Sequence, residues 1–287
     1  MSFGVRAHDF GKGSARELSS RIALSGASYV QLAPMKALEG FPPLEELPLS
    51  TSLVSKQAKE IRDVFERKNL RVSILGCYFN LVHPDDKIRQ IGIQQFQKYL
   101  KTAKHFGTTL VGTETGSMRA DYGPDPANAG EIAFKTCLET LEMLVATAQD
   151  SGSIVCIEGV THHVIYNPRR MQRVIQTIGS NHLAIVFDPV NLMTPDLASR
   201  QEALYDECFS LWGNRIAVIH LKDFLLGNQK ITVVPAGSGQ LDYPLLFRYL
   251  NQLGKKVDLI LENCPPDRIS SALIRLKPLL DAYALSV

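Results

Sequence analysis

Thiols are scarce in this chain. Its five cysteines (Cys77, Cys137, Cys156, Cys208, Cys264) are odd in number, widely spaced and free of any C-x-x-C pair. That argues against a disulfide framework and against a thiolate zinc site, and leaves reduced thiols in a cytoplasmic protein as the expectation. Net charge is nearly lacking too. Lys and Arg number 31 against 29 Asp and Glu, leaving +2, so no strong overall field recruits nucleic acid or an anionic membrane. No uncharged apolar run approaches the roughly 18 residues of a membrane span. The N-terminus, Met-Ser-Phe-Gly-Val-Arg-Ala-His-Asp, carries charge too early for a signal peptide. No low-complexity tract or linker divides the chain, and the proline-rich stretch from Phe41 to Pro48 is short enough to be a loop. A dinucleotide-binding G-x-G-x-x-G turn is also missing, because Gly11 and Gly13 lack a third glycine at the required spacing.

What the chain does have is an ordinary globular balance, 45% hydrophobic and 21% charged over 287 residues, which suits one folded domain spanning 1–287. Short apolar runs alternate with longer segments of helical period. The runs lie at residues 4–8, 29–33, 71–79, 109–113, 154–159, 183–188, 216–222 and 257–262. Several, such as Ile154-Val155-Cys156-Ile157 and Leu259-Ile260-Leu261, are continuously apolar, as strands covered on both faces are. Helices are expected at 14–26, 52–68, 168–179, 202–211 and 265–284. Another should begin near Pro84, with Ile88, Ile91, Phe96, Leu100 and Ala103 as its apolar stripe up to Gly107. One more runs from Ala129 to Gly152. Eight strand–helix units predict an α/β fold, a closed (β/α)8 barrel, with an open doubly wound sheet as the competing architecture.

A barrel of this kind gathers chemistry at the C-terminal ends of its strands. The last four runs end in Glu158, Asp188, His220 and Glu262. An inward-pointing carboxylate must be paired, protonated or metal-bound, since desolvating it alone costs about several kcal/mol. Three carboxylates and one imidazole in a ring therefore imply one divalent cation. Oxygen ligands with a single nitrogen suit Mn²⁺ first, with Mg²⁺ or Co²⁺ also fitting, and leave two positions for vicinal substrate oxygens. The blander alternative is a buried ion-pair network without metal.

With these residues the chain resembles the xylose isomerase-like barrel superfamily, in particular the sugar phosphate isomerase/epimerase group that includes ketose 3-epimerases. The resemblance rests on the order Glu158, Asp188, His220, Glu262, on His220-Leu221-Lys222-Asp223, and on the glycine turn from Pro235 to Tyr243. The segments from Tyr78 to Pro84 and from Gly112 to Gly116 agree with it. It implies a single metal held by the four residues, with Glu158 and Glu262 doubling as catalytic acid/base groups. The metal would chelate a carbonyl and its neighbouring hydroxyl, acidify the carbon-bound hydrogen and stabilise the enediolate. Two glutamates on opposite faces would invert a carbon, whereas one base serving two carbons would isomerise aldose and ketose.

The implied substrate is a small sugar, sugar phosphate or keto-polyol, and the implied assembly a homo-oligomer. An inosose-type dehydratase and a non-catalytic sugar-binding barrel are the competing readings. The family 2 apurinic endonucleases of the same superfamily use three metals, and Val233-Val234-Pro235 stands here where that branch supplies an Asp-x-His pair. Ketose 3-epimerases often carry a histidine and an arginine where this chain has Asn191 and Leu226. His8, Glu114, Asn191 and Lys222 are the candidate substrate-binding residues. Arg6 accompanies His8 on the first strand, and Lys222 could instead pair with Asp223. Tyr78 and Phe79 could wall the pocket, although core packing is the commoner fate, and at most one of His162 and His163 is expected to reach substrate. Trp212 is expected in the core, and Gly237-Ser238-Gly239 as a plain turn.

Overall fold

The computed structural model describes residues 2–41 and 51–286, so the expected proline-rich loop, apart from Phe41, lies outside the described residues. In chain order the elements are β1 (Gly4–Arg6), α1 (Ala15–Ala23), β2 (Tyr29–Leu32), α2 (Pro34–Ala37), α3 (Thr51–Glu66), β3 (Arg71–Gly76), α4 (Asp86–Thr102), β4 (Leu110–Glu114), α5 (Glu131–Ser151), β5 (Ile154–Glu158), α6 (Pro168–Ile178), β6 (Leu183–Phe187), α7 (Pro195–Ala198), α8 (Gln201–Trp212), β7 (Ile216–Leu221), β8 (Asp223–Gly227), β9 (Lys230–Val234), α9 (Tyr243–Gln252), β10 (Asp258–Leu261) and α10 (Pro266–Ser286). Eight strands close in the order β1-β10-β7-β6-β5-β4-β3-β2, and every neighbouring pair runs parallel. This is the (β/α)8 barrel expected from the alternation of runs; the doubly wound alternative is excluded by closure between β1 and β10.

The continuously apolar strands bury both faces. Their outward residues join the helices in one extended core, while Tyr29, Ile74, Cys156, Val186, Val218 and Ile260 form a separate cluster inside the barrel. Gly4 is required there, because a Cβ at that position would lie 2.4 Å from the Tyr29 ring. The Tyr29 hydroxyl in turn accepts from the Leu259 amide at 2.9 Å across the barrel.

Helix ends follow local chemistry. Ser14 caps α1 in a reciprocal box with Glu17, Asn167 caps α6, and Gly107 and Gly152 end their segments in left-handed conformation. Two expectations need correction at α4. Asp85, not Pro84, stands at the helix start, accepting from the Lys87 amide at 2.8 Å. Ile88 and Ile91 are 51% and 42% exposed, since α4 buries Ile93, Phe96, Tyr99 and Leu100 instead. At 3.6 residues per turn Ile91 and Phe96 fall on opposite flanks, so they cannot share one stripe. The antiparallel hairpin of β8 and β9 was not anticipated either. It turns through Asn228 and Gln229, both at positive φ, a geometry that Asn-Gly usually signals and Asn-Gln does not.

Candidate metal centre

Side chains alternate along a strand, so residues two apart share a face. Cys156, Val186, Val218 and Ile260 line the barrel interior, and two residues further on stand Glu158, Asp188, His220 and Glu262. All four are buried, and each offers one ligand atom within 4.8 Å of the others. His220 Nδ1 lies 3.3 Å from Glu158 Oε1, 3.3 Å from Glu262 Oε2 and 3.8 Å from Asp188 Oδ2. The other ring nitrogen, Nε2, is 2.7 Å from Gln31 Oε1. A side-chain carbonyl can only accept, so Nε2 donates to Gln31 and the ring is turned with Nδ1 toward the carboxylates.

Lys222 and Asn191 complete the cluster. Lys222 Nζ contacts Asp188 Oδ2 at 2.7 Å and Glu262 Oε2 at 3.0 Å, and donates to Asn191 Oδ1 at 2.8 Å. Asn191 Nδ2 donates to Glu158 Oε1 at 2.6 Å. Lys222 therefore pairs with two carboxylates of this cluster rather than with Asp223. Asp223 accepts three backbone amides, Phe224 at 2.8 Å, Gly239 at 2.9 Å and Leu241 at 2.8 Å. It thereby ties the start of β8 to the glycine turn. A Cβ at Gly239 would sit 2.2 Å from the Phe224 carbonyl oxygen, which explains the glycine. Asp188 shapes its own turn, Oδ1 accepting from the Val190 amide at 2.8 Å and the Asn191 amide at 3.0 Å.

Crowding of like charge shows in the titration of these groups. Burial pushes the Asp188 carboxyl up to about 7, with Lys222 opposing and Glu262 and Glu158 reinforcing. Glu114 is likewise pushed up to about 7 by burial, Glu158 and Glu262. Glu262 goes the other way: burial is outweighed by His220, Lys222 and Arg6, which hold it well below the usual carboxylate range. Burial opposes protonation of His220, but Glu262 and Glu158 raise it. A hard divalent cation fits this donor set of three carboxylates and one oriented imidazole, so the cluster can hold one metal ion.

The remaining candidates surround this centre. His8 is half-buried in the short 3-10 turn after β1, its Nδ1 without a hydrogen-bond partner, and burial with Arg6 and Lys36 pushes its ring down to about 4. Glu114 pairs in register with Glu158, and its Oε2 lies 3.6 Å from the Nδ1 of buried His163, whereas His162 is exposed. Tyr78 lies near the centre, its hydroxyl accepting from Gln31 Nε2 and its ring beneath Lys36 at 4.2 Å. Phe79 packs instead on Phe96 in the core. Trp212 is core, its Nε1 donating to the Pro168 carbonyl at 3.1 Å. Gly237 takes φ 75° in a turn closed by the Ser238 amide on the Pro235 carbonyl.

Sequence reasoning missed Gln31, Lys36 and Asn263. Gln31 was within reach of the rule used for the late strands, since it stands two residues beyond Tyr29 of the interior cluster. His83 is held by the Asp85 amide at 3.0 Å, and among the described residues no second group of three or more ligating side chains assembles. A three-metal centre therefore has no basis among them.

The model of one protein family, the xylose isomerase-like TIM barrel, matches residues 20–279. The chain belongs to that family. No curated protein matches it. Among solved structures, this xylose isomerase-like barrel is similar to a D-tagatose 3-epimerase-like protein, at 16% identity and a TM-score of 0.76 over 99% of this chain and 98% of that one. It is similar to the IOLI protein with a bound zinc atom, at 15% identity and a TM-score of 0.74 over 99% of both chains. A xylose isomerase-like TIM barrel protein from Mycobacterium smegmatis in complex with magnesium is 14% identical, with a TM-score of 0.73 over 99% of this chain and 97% of that one. At such identities the likeness is one of fold. Among the described residues no helix is long and apolar enough to cross a membrane.

Proposed function

We propose that this barrel is a divalent-metal-dependent isomerase or epimerase of a small carbohydrate or keto-polyol, with Mn²⁺ as the working ion. The observation that carries the reading is the convergence of Glu158, Asp188, His220 and Glu262 at the C-terminal mouth of the barrel, with His220 Nδ1 turned toward the three carboxylates. Zinc and magnesium in structures of the same fold support a metal of this charge, and the epimerase-like neighbour supports the reaction class.

These four residues would hold the ion, which supplies Lewis-acid polarisation of a carbonyl and its neighbouring hydroxyl. The chain's own groups do the rest. A carboxylate of the centre removes the carbon-bound proton, Lys222 and Asn191 keep the buried acids in place, and His8 and Glu114 border the space where substrate hydroxyls arrive. His8, held neutral by its surroundings, can donate or accept there without a charge.

The test is hydrogen exchange between solvent and a panel of ketoses and aldoses in deuterated water with added Mn²⁺. We expect deuterium at the carbon next to the carbonyl, and its loss in Glu158→Gln with the fold intact. Loss of water from a keto-polyol would mark a dehydratase instead. Metal binding without exchange across the panel would mark a sugar-binding barrel.

A further inference from the structure

The two glutamates of the centre are not equivalent. Both oxygens of Glu262 are engaged by side-chain cations: Arg6 Nη1 donates to Oε1 at 2.5 Å, and Lys222 Nζ donates to Oε2 at 3.0 Å. Arg6 is itself held in a fixed plane. Its Nε and Nη2 donate to Asp9 Oδ1 at 2.9 Å and 2.6 Å, and Nη2 also donates to the side-chain oxygen of Asn263. Asn263, next to Glu262, adopts a left-handed backbone at φ 51°. The Cys264 amide donates to Asp9 Oδ2 at 3.3 Å. Arg6 and Asp9 thus fasten the segment after β10 to the end of β1, with Glu262 between them. Glu158 is free of such restraint. Its Oε1 meets the Asn191 amide and the His220 ring, and among the described residues no Lys or Arg lies within ion-pair distance and none is hydrogen-bonded to Oε2.

We infer that Arg6 is a positioning residue that fixes Glu262 as a standing ligand, so that Glu158 alone exchanges hydrogen with substrate. This rests on the metal-dependent reading above and deepens it, because one base serves one face. The C–H bond breaks, its electron pair stays on the substrate, and the proton moves to Glu158 Oε2. The same carboxyl returns it to the adjacent carbon on the same face, while the hydroxyl proton passes to the former carbonyl oxygen. Atoms and electrons balance as an aldose–ketose isomerisation. Inversion at one carbon would need a second base on the far face, and Glu262 is withdrawn from that part.

Two measurements test this on the full chain. In the first, Mn²⁺ affinity is measured for the native protein, Arg6→Met and Arg6→Lys. We expect Arg6→Met to bind about tenfold more weakly or worse, the usual effect of removing a group that orients a metal ligand, and Arg6→Lys to recover part of it. Equal affinity in Arg6→Met overturns the positioning role, whereas no Mn²⁺ binding by the native protein overturns the metal reading beneath it. In the second, dihydroxyacetone in deuterated water serves as the smallest α-hydroxyketone probe. A single base replaces one of the two prochiral hydrogens on each carbon, and the product is read by NMR. Replacement of both hydrogens overturns the one-base assignment, and no replacement at all counts against the enzymatic reading itself.

Discussion

Replacing Gln31 with leucine should loosen the proposed metal centre without touching a candidate ligand. Gln31 Oε1 is the acceptor for His220 Nε2–H at 2.7 Å, and the ring is 1% exposed, so water cannot take its place. Leaving that N–H unsatisfied costs about 1–3 kcal/mol. The loss also removes the preference for the tautomer that turns Nδ1 toward the carboxylates. Loss of an outer partner of a ligating histidine lowers metal affinity by about 10–100-fold, equivalent to about 1.4–2.7 kcal/mol. The assay is Mn²⁺ titration against a chelating indicator, paired with thermal unfolding in chelator and in excess Mn²⁺. Gln31→Leu should bind more weakly and gain less thermal stability from the ion, and Gln31→Glu, which restores an acceptor, should recover affinity. A folded Gln31→Leu protein with native Mn²⁺ affinity would refute the reasoning, for the tautomer would then be set by something other than this bond.

Two further outcomes concern stability. Asp223→Ala strands three backbone amides that the carboxylate now accepts, and should cost about 3 kcal/mol or more in denaturant unfolding, with Asp223→Asn milder; full stability in the alanine variant would contradict this. Burial, with His162 adding, holds the His163 ring down to about 4 against an ordinary 6.5, so the unfolded chain takes the proton first on acidification. The stability contributed by the neutral ring is complete above pH 6.5 and is lost as pH falls toward about 4. Relative to His163→Gln, the native protein should weaken across that window with a limiting slope of about 1.4 kcal/mol per pH unit, and parallel curves for the two proteins would count against it.

The barrel was legible because each strand is a local signal. Runs such as Ile154-Val155-Cys156-Ile157 are apolar on both faces, and the polar residue closing each one marks the mouth. The same locality carried Glu158, Asp188, His220 and Glu262, each readable from its own strand. What escaped depends on closure. Arg6 reaches Glu262 across 256 positions of sequence, and Gln31 reaches His220 across 189. Neither pairing has a local trace, although Gln31 obeys the alternation that exposes the ligands. The hairpin of β8 and β9 escaped for want of a glycine in its turn. The stripe of α4 was misphased because its first two turns hold two exposed isoleucines, which periodicity alone counts as core.

The cluster of Tyr29, Ile74, Cys156, Val186, Val218 and Ile260 lies directly behind the four candidate ligands. It stoppers the cylinder, so on the proposed function substrate and product would share the one open mouth, and product would be expected to inhibit by competing for it.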